Sequence, residues 1–443
     1  MFTRRVLFII LTLIALSVTV DSNHSAMGSH QSADKPMADE FISAINRRVG
    51  NNFLISNESP LVEVNPSVAY NSTRSEYLAV WYNDRPGNDD IRAQRIAKDG
   101  RLLGGPFYIS AAGAGIDRRY PDVVYNVKGD QYFIVWEHQE SSYGYSIHGR
   151  RVSGTGLVLD ANDIVIRSAG ANLYTPAKPA IAYAYTSDKY LVVWEETWHP
   201  MPISTSVYGQ KVLATGALEG NIIPISEDAG GHFRTNPDLA YNIGRNEYLV
   251  AWEQLDPDPN LIDIDIRRVT GEGLPLFPVS TTIAYFTVLS TAPAVAALPV
   301  SPDGQYLVVW ELHYSPTDWD IIGSLVSPDG MPQPTFDIAT TNVNETAPAV
   351  TGSQSRGQYL VIWKQLPNPS LILTNIQGRL ISTAGSLLDD PINIGGLVAD
   401  QPSVVGGPTG DFLTVFDDIP LAADSGIYGQ LVGNRVYIPL AKK

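Results

Sequence analysis

Four carboxylates stand in one repeated setting, each directly after a tryptophan: Glu137, Glu195, Glu253 and Glu311. Carboxylates recurring at a fixed place can form a partial ring for a cation or a polar ligand; the plainer reading is a solvated strand end, or a partner for nearby arginine. Basic residues precede several units, at Arg118, Arg119, Lys178 and Arg234. They would face the same mouth or neutralise those carboxylates. Trp198 with His199, and Trp319, fall outside the repeated positions in segments read as loops. Loop aromatics stack on sugars or anchor a partner, and otherwise pack the loop itself. Asp256, Asp258, Asp263 and Asp265 gather oxygen ligands suited to Ca²⁺, but without the glycine and terminal Glu of an EF-hand loop, so an exposed acidic turn is the alternative. Asp84, Asp89 and Asp90 form a weaker cluster of the same kind.

Other chemistries find little support. The chain has no Cys, hence no thiol nucleophile, and its seven histidines show no zinc-like spacing. No Gly-x-Ser-x-Gly elbow and no phosphate loop occurs. Glycoside hydrolysis needs only two carboxylates at suitable separation, and 46 acidic residues leave room for such a pair. The formal charge of −16 disfavours nucleic acid and an anionic membrane surface, since nothing would neutralise phosphates over a wide face.

The elements that position these residues are strands. Tyr190-Leu191-Val192-Val193-Trp194-Glu195 recurs almost unchanged as Tyr306 to Glu311, and in close variants from Tyr77, Tyr132, Tyr248 and Tyr359. Phe412-Leu413-Thr414-Val415-Phe416-Asp417 is a worn seventh copy. Such runs have no helical period, suit a pleated strand and are apolar on both faces, so they belong inside packed sheets. A first strand opens each unit at Pro66, Pro121, Pro179, Pro237, Pro293, Pro348 and Pro402, since proline is tolerated as the first residue of a strand. A third strand carries a central glycine at Gly149, Gly209, Gly323, Gly378 and Gly429, read as room for the tryptophan of strand two. A glycine-bearing turn leads to a short fourth strand. Four antiparallel strands repeated seven times predict an all-β, seven-bladed β-propeller. Strand alternation puts the loops from strand two to three, and from strand four to the next unit, on one face, where a site is expected near the central channel.

The unit resembles the four-stranded repeats of secreted bacterial propellers, with WD-like architecture. Ser301-Pro302-Asp303-Gly304 is similar to the Ser-Pro-Asp-Gly turn of TolB-type repeats. The Asp-box of sialidases, Ser-x-Asp-x-Gly-x-x-Trp, has no proper copy. The resemblance implies the fold and is silent on activity.

Arg4-Arg5 followed by the apolar run Val6 to Val20 reads as an export signal or N-terminal anchor over residues 1–26. Residues 27–51 read as a flexible linker and 52–443 as the propeller. Phe53-Leu54-Ile55-Ser56 resembles a fourth strand with no unit of its own, and would close the last blade; Val436-Tyr437-Ile438-Pro439 competes for that place. The expected protein is an exported monomer that needs no cofactor, with Ca²⁺ as the one candidate ion and no membrane contact beyond an N-terminal anchor. Its expected role is a binding module for a glycan or protein ligand. A glycan-active hydrolase or lyase using channel-mouth carboxylates is the alternative, and a structural role in cell-surface assembly is a third reading.

Overall fold

The repeated second strands set the architecture because they have no polar face. Tyr190 through Trp194 are fully inaccessible to solvent, as are their counterparts from Tyr306 to Trp310. In a computed structural model the described residues are 47–433, apart from 59–60, 85–88, 111–115, 142–143, 171–172, 200–202, 227–231, 256–260, 278, 285–287, 299–303, 354, 368–372 and 419–424. The export segment, most of the linker, the strand candidate at Val436–Pro439, Asp256, Asp258 and the start of the Ser-Pro-Asp-Gly turn lie outside them.

The described residues form twenty-eight strands. The first, β1 (Arg47–Ser56), precedes all the blades. Blade one holds β2 (Val62–Asn71), β3 (Glu76–Asp84), β4 (Asp90–Ala97) and β5 (Leu102–Ser110). Blade two holds β6 (Arg118–Asn126), β7 (Gln131–Ser141), β8 (Gly144–Ser153) and β9 (Ile164–Arg167). Blade three holds β10 (Tyr174–Ala184), β11 (Lys189–Trp198), β12 (Ser204–Leu213) and β13 (Leu218–Pro224). Blade four holds β14 (Phe233–Asn242), β15 (Glu247–Leu255), β16 (Ile262–Thr270) and β17 (Thr281–Ala284). Blade five holds β18 (Leu289–Ala297), β19 (Tyr306–Ser315), β20 (Asp318–Val326) and β21 (Phe336–Ala339). Blade six holds β22 (Asn344–Gly352), β23 (Gln358–Leu366), β24 (Asn375–Ser382) and β25 (Ile392–Gly395). Blade seven holds β26 (Ala399–Gly406), β27 (Phe412–Asp418) and β28 (Gly426–Gly433), and β1 completes it. Blades three and four share one eight-stranded sheet through a single parallel bridge, Thr205 to Phe233. First strands touch in sequence from β2 to β26, and β26 touches β2, so seven blades close a ring.

Of the two candidate closing strands, Phe53–Ser56 joins the last blade. β1 pairs antiparallel with β28, setting Phe53 opposite Gly429, and stitches the two ends of the described chain together without a disulfide. β1 begins at Arg47, inside the segment read as linker.

Two local expectations are corrected. First strands do not start at their prolines: β2 begins at Val62, ahead of Pro66, because each proline sits at a bulge within the strand, where no ladder donor is needed. The third-strand glycines do not make room for tryptophan. A Cβ on Gly149 would meet Phe133, and one on Gly209 would meet Leu191 and Ile225. The tryptophans face the preceding residue instead: Trp136 pairs with His148 and Trp194 with Tyr208. What fills the glycine's space is the Leu or Phe of strand two, an apolar residue of or just beyond strand four, or both.

Trp81, Trp136, Trp194, Trp252, Trp310 and Trp363 are the large fully buried side chains at equivalent places, with Phe416 in the seventh. Trp194→Ala is expected to destabilise the chain by about 3–5 kcal/mol, the range for aromatic truncation in a core. Trp198→Ala, at a half-buried strand end, is expected to cost much less. Urea denaturation of both variants checks the contrast, and equal losses would contradict it.

Candidate functional site at the channel mouth

The same backbone irregularity occurs in all seven first strands. The residue before each proline has a left-handed backbone, with φ of 51° at Asn65, 52° at Tyr120, 49° at Lys178, 51° at Asn236, 50° at Ala292, 50° at Ala347 and 43° at Gln401. Residues before proline ordinarily stay extended, and a non-glycine residue held in the left-handed region costs about 1–3 kcal/mol. The pairing register with strand two slips at the same point in every blade, for instance between Arg119 and Asp122.

The four repeated glutamates stabilise these bulges. Glu137 accepts a hydrogen bond from the Lys178 backbone N–H at 2.7 Å, and Glu195 one from Asn236 at 2.8 Å. Glu253 accepts from Ala292 at 2.8 Å, and Glu311 from Ala347 at 2.6 Å. Each carboxylate thus reaches from one blade into the bulge of the next. Asp417 does the same for Asn65, closing the series across the ring seam. Pairing a backbone N–H that would otherwise be buried without an acceptor contributes about 1–3 kcal/mol, comparable to the backbone cost. Blade six inverts the charge: Lys364 bonds Asp400 at 2.8 Å, and Asp400 caps Gln401. Blade one has Tyr82 in this place, edge-on to the Tyr120 ring at 6.0 Å. So the repeated carboxylates bind neighbouring blades together at the rim of the channel.

The bulges line a mouth of about 540 Å³. Its walls carry the seven prolines, the amides of Asn65, Asn236 and Gln401, Tyr120, Lys178, and three carboxylates: Asp122, Asp238 and Glu311. Asp122 accepts from Ser67 Oγ at 2.8 Å, from its neighbour Val123 N–H at 2.8 Å and from Ile181 N–H at 2.9 Å. Asp238 accepts from Val295 N–H at 2.7 Å. Burial pushes the Asp122 carboxyl above its ordinary value, and pushes Asp238 up to about 7, with Asp122 adding to the effect. Both residues are half-buried in the wall of the mouth. Glu311 is oriented by two further donors, Thr291 Oγ1 at 3.0 Å and His313 Nε2 at 3.2 Å.

Of the residues singled out in the sequence, Lys178 and Glu311 line the mouth, and Glu137, Glu195 and Glu253 lie directly behind it as bulge partners. Lys178 Nζ bonds Asn236 Oδ1. Arg119 is tied to Asp89 at 2.6 Å and Asp117 at 3.0 Å, and so does not face the channel unpaired. Arg118 and Arg234 are buried at the outer start of β6 and β14. Trp198 and Trp319 stand at strand ends, not on loops. Trp198 packs on Tyr174 with centroids 5.4 Å apart, and exposed His199 contacts Thr175 Oγ1 at 2.8 Å. Trp319 stacks on His313 at 3.8 Å, and His313 in turn holds Glu311, so this tryptophan backs the mouth without lining it. Asp263 and Asp265 are buried on β16, and Asp265 accepts from Ser280 Oγ at 2.7 Å and Thr282 Oγ1 at 2.6 Å. Asp122 and Asp238 were not singled out. Their signal was the acidic residue after proline in only two units, where the others carry Ser or Ala.

No protein-family model and no curated protein matches the sequence. Solved structures share its fold. A protein of unknown function from Dyadobacter fermentans is 12% identical with a TM-score of 0.52, over 88% of this chain and 99% of that one. An α-L-arabinanase from Penicillium chrysogenum, solved with arabinobiose, is 12% identical with a TM-score of 0.49, over 86% and 97%. The GH93 α-L-arabinofuranosidase of Fusarium graminearum is 12% identical with a TM-score of 0.47, over 76% and 99%. The expectation of a binding module without chemistry is corrected here: these neighbours of stated activity are glycan-cleaving enzymes. Likeness at this level establishes the fold, and the activity is argued below from this chain's own residues.

Burial, with Glu195 nearby, pushes the Glu137 carboxyl up to about 7. A folded-state value above the unfolded one means stability is fully present below the unfolded value and lost as pH rises through about 7. Glu137→Gln keeps the acceptor for Lys178 N–H and removes the charge. Its melting temperature is expected to exceed that of the wild type at pH 8, with the difference vanishing by about pH 4, below the unfolded value. Thermal melts at both pH values test this; a variant less stable at pH 8 would show that the ionised carboxylate is the stabilising form.

Proposed function

We propose that the chain is a glycan-active hydrolase whose site is the proline-rimmed mouth of the channel. The observation that carries this is the placement of Asp122 and Asp238. The equivalent positions in the other blades are Ser67, Ala180, Ala294, Ala349 and Ser403, so the fold closes without a carboxylate there. Two half-buried carboxyl groups that five blades do without, in a concave mouth with convergent polar groups, form the setting expected of a site. Asp238, at about 7, holds its proton near neutral pH and can give it to a leaving glycosidic oxygen. Glu311, oriented by its three donors, is the second carboxylate, activating water or attacking the sugar carbon. Proline rings offer apolar faces to the sugar, while Lys178, Asn65 and Gln401 can bond its hydroxyls. A glycan is therefore the ligand in this reading.

The remaining expectations belong to the same proposal. Export through residues 1–26 to a secreted or cell-surface location is supported by the apolar run after Arg4-Arg5. Kinship with TolB-type repeats rests on Ser301–Gly304, and Ca²⁺ binding on the Asp256 to Asp265 stretch. The protein is taken to act as a monomer.

The test is hydrolysis of a panel of chromogenic glycosides and plant polysaccharides. Asp238→Asn and Glu311→Gln, both near-isosteric, are each expected to lower turnover about 10²–10⁴-fold, the usual contribution of a general acid or base. Neither variant should melt below wild type. Wild-type turnover in both variants would overturn the assignment.

A further inference from the structure

A second polar cluster lies away from the channel, within blade two. His138 is on β7 and His148 on β8. The register pairs His138 with Ser146 and Trp136 with His148, so the two histidines are diagonal neighbours across the hairpin. Their rings stack with centroids 4.1 Å apart and planes 9° apart, and the residues are only 9% and 6% exposed. One ring nitrogen from each and a carboxylate oxygen of Asp163, which directly precedes β9, all lie within 4.8 Å of one another.

The hydrogen bonding around this cluster is incomplete in an informative way. Ser146 Oγ donates to Glu140 Oε1 at 2.7 Å, so His148 Nε2, at 3.0 Å from the same oxygen, is the donor to it. With its proton on Nε2, neutral His148 presents a lone pair at Nδ1. That atom faces Asp163 Oδ2 at 3.6 Å, beyond hydrogen-bond reach, and neither Nδ1 of the histidine pair has a hydrogen-bond partner. Buried polar groups nearly always find a partner. Two buried acceptors facing one another are what a shared cation holds. The outer arrangement also fits: a metal-bound histidine commonly has its other nitrogen fixed by a hydroxyl or carboxylate, as Ser146 and Glu140 fix His148.

We propose that His138, His148 and Asp163 form a binding site for a divalent transition-metal ion of the zinc type, with the fourth position left to water. Two imidazole nitrogens and one carboxylate oxygen suit zinc, whereas Ca²⁺ takes six to eight oxygens, here unavailable. Zinc bonds of about 2.0–2.1 Å put tetrahedral ligands about 3.3 Å apart, so the ligand atoms must draw together from within 4.8 Å, and because each imidazole binds a metal in its own ring plane, one of the two stacked rings must turn out of the stack to close on the ion. Arg150 bonds Asp163 Oδ1 at 2.9 Å and Ser110 Oγ reaches Oδ2 at 3.2 Å. Arg150 and the nearby Arg118 weaken the hold on a dication, and Glu140 and Asp163 offset them. The ion would clasp β7, β8 and the entry to β9 in a chain that has no disulfide.

The full chain, purified without a histidine tag, is incubated with ZnCl₂, freed of excess metal by gel filtration and analysed for metal content. The expected result is one zinc per chain in the wild type and in His199→Gln, and little or none in His138→Gln and His148→Gln. Wild-type protein that retains no zinc, or histidine variants that retain as much as wild type, would overturn the proposal. Circular dichroism checks that each variant folds. If neither does, Co²⁺ added to wild type decides: d–d absorption bands competed away by Zn²⁺ support the site, and their absence rejects it.

Discussion

The structure depends on one hydrogen bond, made again and again: a carboxylate at the end of strand two reaching into the next blade's first strand. Without a proton acceptor there, the left-handed residue before each proline would carry both a strained backbone and a buried N–H. With it, the strained residue becomes the attachment point between blades. The bond spans from Glu137 to Lys178 and from Glu311 to Ala347. Because the proline follows at once, the bulge turns the ring of prolines into the channel mouth. Blade contact and mouth geometry are therefore the same feature seen from two sides.

Burial supplies the rest. Each blade contributes a tryptophan, or Phe416, and a tyrosine or Phe412 that water does not reach. These pack against the blade beside them: Trp136 lies with Ala69, Val80 and Ile91 of blade one, and Trp194 with Phe133 and Ile147 of blade two. A ring assembled from such interfaces has no terminal repeat to leave an apolar face open, provided the last blade is completed. β1 completes it, and Phe53 fills the space above Gly429 that fourth-strand aliphatics fill elsewhere.

The second strands were legible in the sequence because one composition, apolar on both faces, has one structural meaning. The blade count followed from it, whereas the choice of closing strand between Phe53–Ser56 and Val436–Pro439 did not. The bulges were not legible: a proline preceded by Asn, Tyr, Lys, Ala or Gln has no pattern that distinguishes a strand start from a bulge. The partners of the glutamates were hidden for a related reason. Each lies in the next blade, at a backbone N–H whose side chain is irrelevant to the bond, so no residue type marks it. His138 and His148 looked unrelated because zinc spacings are learned from helices and tight turns, whereas here a hairpin register joins them.

Repetition itself separates scaffold from chemistry in this molecule. A residue type found in most blades answers a need that most blades have. By that measure Glu137, Glu195, Glu253 and Asp417 are structural, and the bonds they make agree; Glu311 makes the same bond and serves the scaffold as well as the role proposed for it at the mouth. Asp122 and Asp238 occur at a position where five blades manage with Ser or Ala, so the fold does not require their burial cost. The histidine pair is rarer still. The register partners of the second-strand aromatic are Arg92, His148, Tyr208, Asp265, Ile322, Gln377 and Tyr428, one of each blade, and only blade two joins a second histidine to it. Burying a carboxyl at about 7 or leaving two imidazole nitrogens unpaired is unfavourable to stability. Asp122 and Asp238 also tie blades together, through Ser67, Ile181 and Val295, so the cost is partly offset by the scaffold; that five of seven equivalent places do without it is what directs the proposed ligand chemistry to these two.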